Sequence, residues 1–351
     1  MGFRRVAVIM AGGSGTRFWP VSTPERPKQF LRLASDDESL LQQAVGRIAP
    51  LVGEDGLLVA TTAGLVDATR SECPTVPEGN VVGEPHRRNT LGALVWATAV
   101  LQARHGDSWR EISLAVVTAD HMIAPAEGFR STVERALGVA EERGSLVTIG
   151  IAPDRPATEY GYVETGAEIG GGAWEVARFT EKPDASTARR FVDSGVHLWN
   201  SGMFFWTLES FCDELAKTAP DAKATLDEIA VALRAGDDSK AAELFASLTN
   251  VSVDYALMER SENVAVVKAE FDWDDLGSWD ALARSLPSDE HGNVAHGAAR
   301  IVESEGCVVY NCSDRISVSV LGMDDAVVVV TDGEVLVCPR SRVQDVGQLS
   351  D

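Results

Sequence analysis

Residues 11–30 read Ala-Gly-Gly-Ser-Gly-Thr-Arg-Phe-Trp-Pro-Val-Ser-Thr-Pro-Glu-Arg-Pro-Lys-Gln-Phe. Gly12, Gly13 and Gly15, with Ser14 and Thr16 beside them, follow an apolar run, Val6–Met10. Arg17 comes next, and Lys28 stands eleven residues later behind Pro27. Glycine permits positive φ and lets backbone N–H groups approach an anion. Arg and Lys supply the charge that phosphate oxygens require. The loop is read as a polyphosphate cradle. The bland alternative is a glycine-rich strand-to-helix turn that binds nothing. Two better-known cradles are excluded. A P-loop needs Lys-Ser/Thr directly after its last glycine, where this chain has Thr16-Arg17. A dinucleotide fingerprint needs a third Gly or Ala where Phe18 stands.

A second set of candidates is acidic. Asp120 follows the nearly continuous apolar run Ile112–Thr118. Ligands of open α/β sheets sit at the carboxyl ends of strands, so this carboxylate is placed for a site. An Asp that merely caps the next turn is the alternative. Asp275 lies in Trp273-Asp274-Asp275-Leu276-Gly277-Ser278-Trp279, 155 residues beyond Asp120. The two carboxylates can converge only through the fold. Two hard oxygen donors together with phosphates suit Mg²⁺, which keeps several waters. A solvated acidic turn is the alternative for Asp275. Asn200, in Trp199-Asn200-Ser201-Gly202-Met203-Phe204, offers a donor and an acceptor to a hydroxyl pair. Glu181-Lys182, taken alone, is an ordinary solvated pair.

The charge balance narrows the ligand class. The chain carries a net −22, yet residues 1–30 hold Arg4, Arg5, Arg17, Arg26 and Lys28 against Glu25 alone. A basic island in an acidic protein favours a small anion and argues against nucleic acid. No stretch reaches the ~20 apolar residues of a membrane span. Arg4-Arg5 before Val6–Met10 imitates a signal peptide, but the apolar run is too short. The five cysteines (Cys73, Cys212, Cys307, Cys312 and Cys338) are scattered and form no Cys-X-X-Cys pair. A zinc site and a disulfide framework are therefore not expected; buried free thiols in a reducing cytoplasm are. The six histidines form no ligand-like cluster.

The elements that must position these residues are legible as a rhythm. Val6–Met10, Gly56–Ala60, Asn80–Gly83, Ile112–Thr118 and Ser145–Ile151 read as strands. Helical patterns intervene around Leu40–Ile48, from a Thr90 cap to His105, and over Phe129–Ala140 before Gly144. Strand alternating with helix predicts an α/β fold with a parallel sheet covered on both faces. After Pro153 comes a mixed region with strands at Tyr160–Glu164, Trp174–Thr180 and Met203–Thr207, then helices from Leu208 to Arg260. Pro287–Gly292 is a turn-rich break. Short β stretches follow, separated by turn residues. The 351 residues divide on this reading into 1–286 and a small β-rich 287–351.

The string Gly-Gly-Ser-Gly-Thr-Arg-Phe-Trp-Pro with Pro27-Lys28-Gln29-Phe30 resembles the sugar-nucleotide pyrophosphorylases, in the form of the mannose-1-phosphate guanylyltransferases. The resemblance runs from about residue 4 to 340. It implies a Rossmann-like nucleotidyltransferase sandwich with a mostly parallel, mixed central sheet, and a short left-handed β-helix-like C-terminal domain. It implies GTP and mannose 1-phosphate as substrates, GDP-mannose and pyrophosphate as products, and Mg²⁺ on Asp120 and Asp275. Gly12, Gly13, Ser14, Gly15, Thr16 and Arg17 would hold the triphosphate, and Lys28 the leaving pyrophosphate. In Glu-Lys-Pro, Lys182 would hold the sugar phosphate and Glu181 the sugar hydroxyls; Gly161 and Asn200 would complete the sugar side. Glu84, Asn89 and Thr90, in Glu-Pro-His-Arg-Arg-Asn-Thr, match the users of GTP. Chemically this fits, because guanine presents two adjacent donors that a carboxylate accepts, and uracil and thymine do not. Some relatives carry a fused isomerase domain; as this chain ends at Asp351, no isomerase activity is expected. A homodimer is left open. Two alternatives also stay open: a pyrophosphorylase for another hexose 1-phosphate or base, and a non-catalytic nucleotide-sugar-binding subunit.

Overall fold

Arg4–Met10 is a strand because four β-branched or apolar residues, Val6, Ala7, Val8 and Ile9, lie in a row. All four are buried. Pleating sends alternate side chains to opposite faces, so both faces of this strand are covered. The computed structural model describes residues 2–13, 15–33, 35 and 37–350. Ser14 lies outside the described residues.

A nine-stranded sheet runs in the order Val81–Glu84, Leu57–Thr62, Arg4–Met10, Ile112–Thr118, His197–Thr207, Leu146–Ile151, Val264–Lys268, Ala173–Thr180, Tyr162–Gly170. The first four strands are parallel, Arg4–Met10 lying between Leu57–Thr62 and Ile112–Thr118. His197–Thr207 then runs antiparallel to Ile112–Thr118 and Leu146–Ile151, and its first residues pair antiparallel with Tyr162–Gly170 as well. The parallel expectation thus describes one half of the sheet. The helix Ala126–Arg143 packs on the central strands, and Asn89–His105 packs against Pro220–Arg234. Among the described residues, no helix is long and apolar enough to cross a membrane.

Contacts divide the chain into two compact units that do not follow linear order. One holds the residues up to Gly12, Ala44–Ala119 and Ile123–Asp272, including the nine-stranded sheet. The other holds Gly13–Gln43, Asp120–Met122 and the chain from Trp273 onward. In this second unit, Val294–His296, Val308–Asn311 and Ala326–Val330 stack in parallel register. Ala299–Val302 stacks likewise on Val318–Leu321. Repeated parallel rungs from successive turns of chain make a β-helical coil. Its core is shared with the glycine-loop segment: Phe18, Leu31, Leu33 and Leu40 join Trp279, Val308, Tyr310, Val327, Val329, Val343 and Val346 in one apolar cluster. Phe18 meets Trp279 edge-on with ring centroids 4.9 Å apart, and Trp279 lies 5.1 Å from Tyr310.

Two sequence expectations need correction. Thr90 does not cap its helix: the helix spans Asn89–His105, and the Thr90 hydroxyl instead accepts the Val253 N–H at 2.9 Å. The five free cysteines are not all buried: Cys312 is exposed and Cys338 half-buried, because both fall in the thin β stack.

Removing residues 287–351 would strip eight large apolar side chains from the Phe18–Trp279 core. At roughly 1.5–3 kcal/mol each, this loss matches or exceeds the whole stability of an ordinary domain, about 5–15 kcal/mol. Amide hydrogen exchange of the truncated chain should therefore show residues 15–33 unprotected. Retained protection there would mean that the glycine-loop segment folds without the β stack.

Candidate functional site

In the second unit the glycine loop closes around Lys28. Gly15 has φ 60° and precedes a single 3₁₀ turn, Thr16–Phe18. Its carbonyl accepts the Ser22 hydroxyl at 2.7 Å. A Cβ at Gly15 would overlap the Lys28 Cβ and lie 2.6 Å from the Lys28 backbone nitrogen. Both the positive φ and this close approach require glycine. Pro27 then leads into a second 3₁₀ turn, Lys28–Phe30. Arg17 is exposed, and its guanidinium donates to the Gln344 side-chain oxygen at 3.1 Å. Gln344 belongs to the C-terminal 3₁₀ run Arg340–Leu349, which also brings Gly347 against Thr16. Nothing in the sequence pattern marked that run.

Lys28 is the hub of this unit. Its side chain is 8% exposed, and its ammonium donates to Asp120 Oδ2 at 2.8 Å and to the Asp275 carbonyl at 2.6 Å. Arg17, Lys28, Asp120 and Asp275 therefore fall in one compact unit, and Lys28 ties the last two together. Burial alone would raise the Asp120 carboxyl; the Lys28 ammonium and the neighbouring His121 overcome it and hold the group below the usual carboxylate range. His121 is fixed in turn by the Trp273 indole N–H, which donates to its Nδ1 at 3.0 Å. The Asp275 turn is locally strained: Leu276 has φ 45° yet is fully buried in the apolar cluster. That burial anchors the turn against the cost of the backbone conformation. Asp275 Oδ1 accepts the Gly277 N–H at 3.1 Å, whereas Asp274 pairs with Arg284 at 3.3 Å.

The other unit carries the remaining candidates. Glu84 ends the strand Val81–Glu84, is 8% exposed, and has its Oε2 buried without a hydrogen-bond partner. Its Oε1 lies 3.5 Å from where a Gly12 Cβ would stand. Burial pushes the Glu84 carboxyl up to about 7, against a smaller opposing pull from Arg87. Asn89, at φ 59°, accepts the Thr90 N–H at 2.8 Å at the start of this helix, which has no side-chain cap.

Gly161, Glu181 and Asn200 meet. A Cβ at Gly161 would overlap Glu181 Oε2 and stand 3.4 Å from the Asn200 Cβ. The Gly161 carbonyl accepts the Asn200 N–H at 2.8 Å. Glu181 is pushed up to about 7, first by burial and then by the nearby Asp254 carboxylate. Lys182 pairs with it at 3.4 Å while remaining 58% exposed. Asn200 differs from expectation. Its side-chain oxygen already accepts the Gly202 N–H at 3.3 Å and lies 2.8 Å from the Thr148 hydroxyl, which also stands 3.0 Å from the Met203 carbonyl. Its amide nitrogen donates to Asp254 at 3.0 Å. Its oxygen is thus engaged within the protein, while its amide has a second N–H to offer. Asp254 and Glu259 escaped the sequence reading because they lie in a stretch read only as helix.

The profile of the nucleotidyl transferase family matches residues 6–291. A mannose-1-phosphate guanylyltransferase of Klebsiella pneumoniae is 39% identical over 97% of this chain and 72% of its own length. The chain belongs to the mannose-1-phosphate guanylyltransferase family. It is a nucleotidyltransferase enzyme. A second profile of that family, the mannose-phosphate isomerase/GMP-like β-helix domain, matches residues 298–350, where the parallel rungs stand. The crystal structure of a Thermus thermophilus protein described as a mannose-1-phosphate geranyltransferase superposes with a TM-score of 0.87 at 33% identity, covering 99% of this chain and 98% of that one. A UDP-glucose pyrophosphorylase solved with UDP-glucose, 16% identical with a TM-score of 0.51 over 81% of this chain and 97% of its own, shares the fold.

In this family member the buried Glu84 has a measurable signature. Folding raises its carboxyl from 4.5 to about 7, so folding disfavours the ionised form. That penalty is absent below the unfolded pKa, grows as pH rises, and is complete above the folded one. Glu84→Gln removes it. The melting temperature of the variant should gain on that of the wild type between pH 5 and pH 8, by an amount equivalent to about 1–3 kcal/mol. A difference that stays flat with pH would show that the carboxyl is not desolvated.

Proposed function

We propose that this enzyme transfers GMP from GTP to mannose 1-phosphate. A phosphate oxygen of the sugar phosphate attacks the α-phosphorus in line. The bond to the β-phosphate oxygen breaks, pyrophosphate departs with that electron pair, and GDP-mannose forms. The sugar phosphate is itself the nucleophile, so no covalent enzyme intermediate is needed. Catalysis reduces to positioning and charge neutralisation.

The observation that carries this reading is the buried Lys28 ammonium, held by Asp120 and by the Asp275 carbonyl against Gly15. An ammonium has three N–H donors, and two are used. The third is available to a phosphate oxygen, where it offsets charge on the departing pyrophosphate. Arg17 and the backbone N–H groups of Gly12, Gly13, Gly15 and Thr16 receive the triphosphate. Glu84 accepts the paired donors of guanine, supported by its unpartnered buried Oε2, and Asn89 and Thr90 stand at the neighbouring helix start. Gly161, Glu181 and Asn200 take the hexose, and the exposed Lys182 takes its phosphate.

Asp120 and Asp275 are a donor set that fits Mg²⁺. Among the described residues no group of three or more His, Cys, Asp or Glu could hold a metal by itself, and Mg²⁺ takes few protein ligands, completing its shell with water and phosphate. When bound, the ion supplies charge neutralisation to the phosphates. We also place the reaction in the cytoplasm, which the free cysteines support. Pairing of two copies through the C-terminal strands is supported by the exposed Leu321, Val335 and Val337.

The test is pyrophosphate release from a matrix of GTP, ATP, UTP and dTTP against mannose 1-phosphate and glucose 1-phosphate, with Mg²⁺. GTP with mannose 1-phosphate should exceed every other pair by at least ~10-fold in kcat/KM, the scale of one well-made recognition contact. A preference for UTP or dTTP would remove the role given to Glu84. Lys28→Ala should lower kcat by ~10²–10³; unchanged turnover would take Lys28 out of the reaction.

A further inference from the structure

On the sugar side Glu181 offers one hydroxyl acceptor, and a hexose has several hydroxyls to place. Asn200 was the natural second choice, but its side-chain oxygen already accepts the Gly202 N–H and lies against the Thr148 hydroxyl, whose one proton goes to it or to the Met203 carbonyl. What remains on Asn200 is one N–H, beside the one it gives to Asp254 Oδ1. A sugar hydroxyl binds best where a donor and an acceptor lie side by side, because it is both at once.

Asp254 stands at that place. It opens a single π-helical turn, Asp254–Met258, and such turns recur at functional sites because they re-aim side chains. Its carboxylate has about four lone-pair positions. Asn200, Ser252 and its own backbone N–H draw on it. Acceptor capacity remains for one incoming hydroxyl. The same segment ties down the rest of the sugar side. The Val253 N–H donates to Thr90, and Glu259, directly after the turn, accepts the Glu181 backbone N–H at 2.7 Å. One π turn and its flanks thus set the Asn200 amide, the backbone of Glu181 and the start of the helix at Asn89.

We propose that Asp254 is a specificity-determining residue of the sugar-phosphate site: its carboxylate accepts one hydroxyl of the hexose while the Asn200 amide donates to the same hydroxyl or its neighbour. Glu259 is a positioning residue, acting through Glu181. This rests on the sugar-side reading of Gly161, Glu181 and Asn200 given above.

The experiment compares wild type with Asp254→Asn as full chains at saturating GTP, using mannose 1-phosphate and its 2-, 3-, 4- and 6-deoxy analogues. Wild type should lose about 10–100-fold in kcat/KM on the analogue that lacks the accepted hydroxyl, the size of a hydrogen bond to a charged group. Asp254→Asn should lose a similar factor on mannose 1-phosphate and little more on that one analogue. Its KM for GTP should stay within about twofold. If the variant keeps the wild-type KM for mannose 1-phosphate, or keeps the full analogue penalty, the proposal is overturned. Should Asp254→Asn fail to give the wild-type far-UV circular dichroism, Asp254→Ala serves with the same readout. Wild type inactive on mannose 1-phosphate would instead overturn the substrate reading itself, and with it this one; wild type active with an unaffected variant overturns only the role of Asp254.

Discussion

A buried cation must be paid for by its partners, and the Lys28 ammonium is the constraint around which its unit is arranged. A lysine this enclosed keeps its charge only if carboxylate or carbonyl oxygens replace the lost water. Asp120 and the Asp275 carbonyl do so. Removing one partner of such a pair typically costs about 3–5 kcal/mol, because the other charge is left buried alone. That cost explains why the surroundings are so tightly specified: a glycine where Lys28 leaves no room for a Cβ, a proline before it, and a left-handed Leu276 pinned by apolar packing. The arrangement is preorganised before any phosphate arrives, which is the condition under which electrostatic catalysis is effective.

The sugar-side residues follow a different logic. Here hydrogen-bond polarity, rather than charge, is fixed in advance. The Gly202 N–H and the Asp254 carboxylate settle which way the Asn200 amide faces, and Gly161 clears space against Glu181. Two carboxyls there, Glu181 and Asp254, are both raised by burial and stand near each other. Clustered, desolvated acids are costly to the empty fold, and such cost is commonly met at sites that await a polar ligand.

The sequence exposed the parts of this design that depend on local pattern. The parallel strands were visible because runs such as Ile112–Thr118 are continuously apolar. Asp120 was visible because it ends one of those runs, and Gly15 with Lys28 because their types and order are unusual. What stayed hidden depends on long-range partners. Asp254 and Glu259 sit in a mostly apolar, helix-like stretch whose π turn has no periodic signature. Gln344 reaches Arg17 across 327 residues of chain. Thr90 looked like a helix cap by type, but the helix starts one residue earlier without a side-chain cap, and Val253 claimed the hydroxyl. The break at Pro287–Gly292 is real as a turn, yet the apolar cluster ignores it, since packing follows surface complementarity rather than order along the chain.

That shared cluster has a thermal consequence. The glycine-loop segment packs on Trp279, Tyr310 and the valines of the β rungs. Loosening of the rungs on warming would therefore slacken Gly15 and Lys28 directly. Heat inactivation would begin as a loss of grip on phosphate, at temperatures where the far-UV signal of the sheet and helices still looks intact.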